Sequence, residues 1–144
     1  MKLPAKVYLV DTNVILRYLL GDHAEFSPKA ESFMLDVSEG TKKAEIMDVV
    51  IVECIYVMEK YYRIPKSEIV GKLSGILNFS GIVSPGKSEI LEALLKYEDL
   101  NIDIVDCILA AYSSHSKIVI SFDKDLEKLK AIREPPVKFQ KTVP

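Results

Sequence analysis

The chain has 144 residues, a formal net charge of −2, a hydrophobic share of 49% and a charged share of 28%. These values are typical of an ordinary soluble globular protein and argue against a strongly basic nucleic-acid binder. Since no apolar run approaches the roughly 20 residues of a membrane helix, and no signal peptide is recognisable, we expect a cytoplasmic protein with one domain over residues 1–144.

Strand-like apolar runs alternate with helical patterns along the chain. The strand-like runs are Val7–Val10, Glu45–Val49, Ile82–Ser84, Ile118–Ser121 and, weakly, Val137–Phe139. The helical patterns are Val14–Leu20, Ile51–Tyr62, Ser67–Phe79, Ser88–Leu100, Ile104–Ser116 and Lys124–Ala131. One more helix is predicted to start at Ser27-Pro28, with Phe26, Ala30, Phe33, Met34 and Val37 on one face. This alternation predicts an α/β fold with a mainly parallel sheet and helices on both faces, followed by an edge strand or tail over residues 134–144.

Four acidic residues stand in otherwise apolar stretches: Asp11, Glu53, Asp106 and Asp123. A carboxylate in apolar surroundings costs on the order of several kcal/mol unless it is paired or bound to a cation, so four of them suggest a shared cation. Two of the acids follow strands and two lie in first turns of helices. These positions all belong to the carboxyl edge of a parallel sheet, where functional residues gather, so we expect the four carboxylates to converge.

Each acid also has an ordinary explanation. Asp11 and Asp123 each suit the N-cap of the helix that follows. Glu53 and Asp106 lack a polar helix face, so each would need a buried ion pair for which the nearby sequence offers no partner. Asp103, one turn before Asp106, adds a like charge there, although an acid at that place also favours the helix N-terminus through the helix dipole.

Cysteine chemistry does not explain the pattern. Cys54 and Cys107 show neither a Cys-x-x-Cys spacing nor a zinc pattern with His23 or His115, so we interpret both as small buried hydrophobes. The candidate donor set is therefore all oxygen. Hard oxygen ligands suit Mg²⁺ or Mn²⁺ and disfavour zinc.

The segments that hold the four acids resemble a known family. Val10–Leu16, with the sequence VDTNVIL, is similar to the opening motif of PIN-domain ribonucleases, a group that includes the VapC toxins of prokaryotic toxin–antitoxin pairs. Glu53 matches the second acid of that family. Asp103–Ala111 resembles its third motif and Ile118–Leu126 its fourth. The resemblance covers roughly residues 7–130 and keeps the family's order.

The resemblance implies a three-layer α/β/α fold with a short, mainly parallel central sheet. It also implies an acidic cluster that binds one or two Mg²⁺ or Mn²⁺ ions and hydrolyses RNA, leaving a 5′-phosphate and a 3′-hydroxyl. The metal ligands and catalytic residues, carried over by position, are Asp11, Glu53, Asp106 and Asp123.

Supporting roles are implied for neighbouring polar residues. Asn13 and Ser121 match positions that orient the acids or a bound water, and both also suit ordinary capping or strand-end hydrogen bonds. Asp103 and Asp125 are additional acids near the cluster. Asp125 is an alternative to Asp123 as the fourth acid, and we prefer Asp123 because it follows the Ser121-Phe122 pair at the strand end.

RNA contact would come from dispersed basic residues, each of which also suits an ordinary solvated charge. These residues are Arg17, Lys42, Lys43, Lys124, Lys128 and Lys130. The family further implies a homodimer and a cognate antitoxin that inserts a segment into a groove beside the site. The helices around Phe33-Met34 and Tyr56–Tyr62 could line such a groove, or their apolar residues could simply pack in the core.

Three other functions compete with the nuclease. A PIN-fold module could bind RNA or protein without cutting it. A receiver-like signalling domain would need an Asp on the third strand, which Ile82–Ser84 does not supply. An aspartate phosphotransferase would need an Asp-x-Asp motif, which Asn13 interrupts. We therefore favour a metal-dependent endoribonuclease.

Overall fold

The computed structural model describes residues 5–129, 131, 133 and 134 of the chain. The chain folds as two compact units, Met1–Lys87 and Ser88–Pro144. Helices and a pair of parallel strands occur in each unit, as the predicted α/β class requires. None of the helices in the described ranges is long and apolar enough to cross a membrane.

The first unit alternates short strands with helices. Its elements are β1 (Val7–Leu9), α1 (Thr12–Leu20), α2 (Phe26–Glu39), β2 (Lys43–Glu45), α3 (Asp48–Tyr56), a π-helical turn (Val57–Tyr61) and α4 (Lys66–Leu77). Strands β1 and β2 are parallel, with Tyr8 opposite Ala44. Ala44 also bridges in parallel to Ile82, so β2 lies between β1 and the Ile82 segment.

The apolar faces of the helices form the core of the first unit. Ile15 of α1, Met34 of α2, and Ile51 and Ile55 of α3 are fully buried. Burying an aliphatic side chain of this size stabilises a fold by roughly 1.5–3 kcal/mol. Gly21 ends α1 with a φ of 60°, in the left-handed region that glycine enters without steric cost.

The second unit contains the remaining elements. They are α5 (Lys87–Asp99), which starts at the boundary between the units, α6 (Ile104–Tyr112), β3 (Val119–Ile120), α7 (Asp125–Lys128) and β4 (Arg133–Glu134). Strands β3 and β4 pair in parallel, with Val119 opposite Arg133. Leu94, Ile104 and Leu126 are fully buried and form the centre of this unit's core.

The prediction of a strand over Glu45–Val49 is wrong. The strand is Lys43–Glu45, and α3 begins at Asp48. A short continuous apolar run such as Val49–Val52 does not by itself distinguish a buried strand from a helix. Asp48 favours the helix because an acidic side chain in the first turn interacts well with the helix N-terminus.

Several other predicted elements are shorter than expected or interrupted. The Ile82–Ser84 run contributes a single bridge, and helices α6 and α7 end early. Helix α6 stops where the hydroxyl of Ser113 donates to a backbone carbonyl of the last turn, since serine side chains compete with helical hydrogen bonds. The predicted helix over Ile51–Tyr62 changes to a π-helical turn after α3. The predicted strand Val137–Phe139 lies outside the described residues.

Helix α2 does not start at Ser27-Pro28, which is the start that the sequence predicts. It begins at Phe26, and the imidazole Nδ1 of His23 accepts hydrogen bonds from the N–H groups of Glu25 (3.2 Å) and Phe26 (2.9 Å). A neutral imidazole nitrogen is an acceptor and can replace a capping hydroxyl. The Ser27 hydroxyl instead donates to the carbonyl of Arg17 at 2.8 Å, which joins α2 to α1.

Candidate active site

Asp11 follows β1 after one intervening residue, Val10, and occupies the N-cap position of α1. Its backbone is extended, with φ −77° and ψ 152°, and its carbonyl oxygen accepts hydrogen bonds from the N–H groups of Val14 (3.1 Å) and Ile15 (3.3 Å). Its exposed carboxylate accepts no capping hydrogen bond from the described residues. The backbone alone therefore fills the predicted capping role, and the carboxylate oxygens remain accessible to a cation.

Glu53 is exposed, although its sequence neighbours are apolar. Helix α3 fully buries Ile51, Cys54 and Ile55, whereas Val49, one turn before Glu53, is 65% exposed. The expectation of a buried carboxylate at Glu53 is wrong because only one side of α3 is packed.

Of the other three acids, only Asp106 is partly shielded from solvent. Asp11 and Asp123 are exposed, whereas Asp106 is half-buried. The cost of an apolar environment, which the sequence suggests for all four acids, therefore applies to Asp106 alone among them.

Asp11 and Glu53 lie near the same buried thiol. Burial raises the pKa of Cys54 to about 12, and the negative charges of Glu53 and then Asp11 contribute to this increase. Because electrostatic effects fall off with distance, both carboxylates must be close to Cys54. The first unit thus brings two of the predicted ligands into one neighbourhood. Cys54 itself is fully buried, which confirms its interpretation as a core residue.

Four carboxyl groups gather at the N-terminal ends of α6 and α7. Burial raises the pKa of Asp106, and the charge of Asp123 raises it further. The charges of Asp103 and Asp125 act in the same direction, as does a side-chain hydrogen bond between Asp106 and Asp123. Two carboxylates in contact repel each other when both are ionised, and a cation relieves this repulsion.

A short turn after β3 positions Asp123. The hydroxyl of Ser121 accepts a hydrogen bond from the N–H of Asp123 (2.9 Å), and Oδ1 of Asp123 accepts one from the N–H of Asp125 (2.8 Å). Asp123 therefore makes a local bond at the start of α7, close to its predicted capping role. Asp125 forms an exposed ion pair with Lys128 (3.5 Å), a type of contact that contributes little stability in water.

Asp103, a predicted supporting residue, and Arg17, a predicted substrate contact, both have structural partners. Asp103 is the N-cap of α6, and its Oδ1 accepts a hydrogen bond from the N–H of Val105 at 3.5 Å. Arg17 forms an ion pair with Asp22 (2.8 Å) and donates to the hydroxyl of Tyr62 (3.1 Å). The hydrogen bond to Tyr62, and then the charge of Asp22, raise the pKa of Arg17. Arg17 thus connects α1 to the end of the π-helical turn.

The structure gives less information about the lysines that are predicted to contact RNA. Lys42 forms an ion pair with Asp36 at 3.2 Å, and Lys43, Lys124 and Lys128 are exposed. Lys130 lies outside the described residues. Ordinary solvation accounts for the exposed lysines, so the structure singles out no phosphate contact among them.

The donor chemistry fits a hard divalent cation. The candidate ligands are all carboxylates on exposed or half-buried side chains, as Mg²⁺ and Mn²⁺ prefer. Among the residues that the structure describes, no group of three or more His, Cys, Asp or Glu residues is arranged to hold a metal ion. Each unit instead holds a pair of the predicted ligands, Asp11 with Glu53 in the first and Asp106 with Asp123 in the second.

The family model of the PIN domain matches residues 8–132. The chain belongs to the PIN-domain family. A VapC ribonuclease of Aquifex aeolicus (strain VF5) is 28% identical to it over 123 residues, which cover 84% of this chain and 90% of that protein. The resemblance to VapC-like PIN proteins and the PIN-like α/β/α fold class predicted from the sequence are confirmed.

This PIN-domain chain also has a groove next to Asp11, with a volume of about 410 Å³. Its lining includes aromatic residues of β1 and α2, namely Tyr8, Phe26 and Phe33. The lining also includes polar residues, namely Asp11, Asn13, Arg17 and Lys29. Asn13 is exposed and lines the groove together with Asp11 and Arg17.

The groove changes the interpretation of α2. Ala30, Met34 and Val37 are buried as predicted, but Phe26 is 51% exposed and Phe33 is half-buried. Core packing therefore explains Met34, whereas Phe26 and Phe33 line the groove. The sequence does not distinguish these rings from the core residues, because all of them share the same helical spacing.

Proposed function

We propose that this PIN-domain protein is a Mg²⁺- or Mn²⁺-dependent endoribonuclease and the toxin component of a VapBC-type toxin–antitoxin system. The observation that carries the proposal is the proximity of four acids at the N-terminal ends of α6 and α7: burial raises the pKa of Asp106, and the charges of Asp123, Asp103 and Asp125 raise it further. Such crowding favours a bound proton or a bound cation. Further support comes from the family match and from the similar protein that is named a VapC ribonuclease.

The metal ligands and catalytic residues that we propose are Asp11, Glu53, Asp106 and Asp123. The family match over residues 8–132 includes all four acids, which supports a single PIN domain over this range. We assign the fourth position to Asp123 because its charge raises the pKa of Asp106 more than the charge of Asp125 does, and because Asp125 is paired with Lys128.

The chemistry of RNA explains why such a site needs metal. A phosphodiester is an anion, so bare carboxylates would repel it. A bound Mg²⁺ or Mn²⁺ would supply positive charge, lower the pKa of a water molecule and stabilise the leaving oxygen. The acids of the chain would hold the ion, and Ser121 would fix the backbone of Asp123 through the bond to its N–H. Asn13, beside Asp11, would orient a water molecule. Hydrolysis would leave a 5′-phosphate and a 3′-hydroxyl.

The partners proposed with this function are an RNA substrate, a cognate antitoxin protein and a second copy of the chain. The name of the Aquifex aeolicus relative supports the RNA substrate and the toxin type. Arg17 lines the groove beside Asp11 and is our candidate for contact with the substrate. Its bonds to Asp22 and Tyr62 would hold its guanidinium in a fixed position.

Cleavage of end-labelled RNA tests the proposed function. The wild-type protein should cleave RNA with Mg²⁺ or Mn²⁺ and should lose this activity in EDTA. Asp11→Asn and Asp106→Asn remove one ligand from each unit, and each should lower the rate by on the order of 100-fold or more. Glu31→Gln and Glu92→Gln change exposed acids outside the site, one in each unit, and serve as matched controls.

The outcomes separate the proposal from its main alternative. If wild-type protein binds RNA but does not cleave it with either metal, a non-catalytic PIN-fold binding module becomes the better description. If Asp11→Asn keeps full activity, the assignment of the acidic site is wrong. Thermal melting curves that match the wild type should accompany both variants, so that a loss of activity is not a loss of folding.

A further inference from the structure

We propose that the groove beside Asp11 is a nucleobase subsite, in which one unpaired base of the RNA stacks on Phe26. This inference rests on the proposed ribonuclease function and deepens it. It names Phe26, with Tyr8 and Phe33, as residues that position the substrate strand relative to the acids. Unstacked bases of single-stranded RNA are commonly bound on aromatic side chains in this way.

The dimensions and lining of the groove suit a base. Its volume of about 410 Å³ lies in the roughly 300–1,000 Å³ range of small-ligand pockets. Tyr8 and Phe33 pack edge to face, with ring centroids 5.6 Å apart at 80°. Lys42 holds its ammonium 5.4 Å from the Phe33 ring, which fixes this aromatic pair from a second direction.

Phe26 is the most exposed of the three rings and is held in place. Its ring stacks on the imidazole of His23, with centroids 4.3 Å apart and planes at 10°. The imidazole is itself fixed, because its Nδ1 accepts hydrogen bonds from the N–H groups of Glu25 and Phe26. Phe26 nevertheless remains 51% exposed and lines the groove. A rigid ring that is already oriented loses little conformational freedom when a base stacks on it.

The charged residues of the lining favour an anionic polymer. Arg17 and Lys29 outnumber Asp11 among the charged residues of the groove. The Lys29 side chain is 72% exposed, and its 3.4 Å pair with Glu25 is a surface contact. Lys29 is thus able to turn towards a phosphate at small cost. Asn13 offers an amide donor and acceptor to a base edge.

The position of the groove connects the subsite to the chemistry. Asp11 is part of the lining, so a base in the groove would lie close to a predicted metal ligand. The phosphodiester next to that base would then be directed towards the acids. A protein segment would also bury the apolar walls, but the positive lining and the amide beside Asp11 favour RNA.

The first experiment measures binding without catalysis. The chain contains no tryptophan, so Phe26→Trp introduces a fluorophore at the subsite alone. In EDTA, single-stranded oligoribonucleotide should quench this fluorescence, and an oligonucleotide of the same length without bases should not. Absence of quenching by the base-containing strand, or equal quenching by both, would overturn the proposal. This readout does not depend on cleavage, so it can succeed even if the ribonuclease function fails.

The second experiment measures cleavage on RNA strands that each lack one base. Phe26→Ala should lower kcat/KM on intact RNA by about 5-fold to 150-fold, the range expected for losing one stacked base. On the strand without the base that occupies the groove, Phe26→Ala should have no further effect, whereas Phe26→Tyr should keep wild-type behaviour on every strand. If Phe26→Ala lowers kcat/KM equally on all strands, the subsite proposal is wrong. If it lowers kcat/KM on none of them, the proposal is also wrong, and a protein partner becomes the better candidate for the groove.

Two controls address nonspecific effects. Leu35→Ala alters an exposed apolar residue on α2, and Tyr61→Ala removes an exposed ring from the π-helical turn. Neither residue lines the groove within the described chain. Both variants should cleave like wild type, and a loss in Leu35→Ala equal to that in Phe26→Ala would attribute the effect to α2 in general and overturn the proposal.

Discussion

Asp123 lies close to Asp106, although Asp106 belongs to the first turn of α6 and Asp123 to the turn after β3: burial raises the pKa of Asp106, and the charge of Asp123 raises it further. Two neighbouring carboxylates repel each other when both are ionised, and a bound proton or cation relieves this repulsion. Protonation of Asp106 therefore affects both the stability of the protein and its capacity to bind a metal ion.

The first prediction concerns stability against pH without divalent metal. The folded state holds the proton of Asp106 more tightly than the unfolded state, since its pKa is raised from 3.8. This contribution to stability is complete below pH 3.8 and is lost as the pH rises through the raised pKa. Urea unfolding of wild type and Asp106→Asn over this interval should show a decrease that is smaller in the variant. Identical slopes would contradict the electrostatic assignment.

The second prediction concerns Cys54. Burial and the nearby charges of Glu53 and Asp11 raise its pKa to about 12, so almost no thiolate exists at neutral pH. In a Cys107→Ser background, native protein should react with a thiol reagent far more slowly than urea-unfolded protein. Rapid modification of the native protein would show that α3 does not shield this side chain.

The third prediction concerns two glycines with opposite surroundings. A Cβ at Gly81 would collide with the backbone carbonyl oxygens of Lys42 and Val37, so Gly81→Ala should lower the free energy of unfolding by roughly 1–3 kcal/mol. Gly75 lies inside α4 with no neighbouring atom near its Cβ position. Gly75→Ala should therefore stabilise the protein by about 0.5–1 kcal/mol. Chemical unfolding measures both, and a similar change in the two variants would contradict the packing around Gly81.

The sequence predicts the acids better than it predicts their surroundings. Asp11 and Asp123 follow strands, and such positions can be recognised from apolar runs that end in a carboxylate. The burial of Glu53 is mispredicted because Val49, which makes the helix appear apolar on all sides, is exposed. Hydrophobic spacing identifies which residues can face a core, but it does not show which helix faces are covered.

Features that depend on hydrogen bonds between different segments are not predictable from local patterns. The capping of α2 by His23 depends on an imidazole nitrogen, for which no common sequence rule exists. Arg17 forms an ion pair with Asp22 and a hydrogen bond with Tyr62. Tyr62 is distant from Arg17 in the chain, and Asp22 belongs to no recognised motif. Arg17 lines the groove at Asp11, and His23 stacks on Phe26, which also lines it, so local sequence patterns do not reveal how these residues are held.

Binding of Mn²⁺, followed by electron paramagnetic resonance, tests the central claim most directly. The claim is that Asp11, Glu53, Asp106 and Asp123 are ligands of a divalent cation. Asp11→Asn and Asp106→Asn should each weaken Mn²⁺ binding by at least about 10-fold, while Glu31→Gln should not. If either Asp11→Asn or Asp106→Asn binds Mn²⁺ with wild-type strength, that residue is not a ligand and the proposed set of acids is wrong.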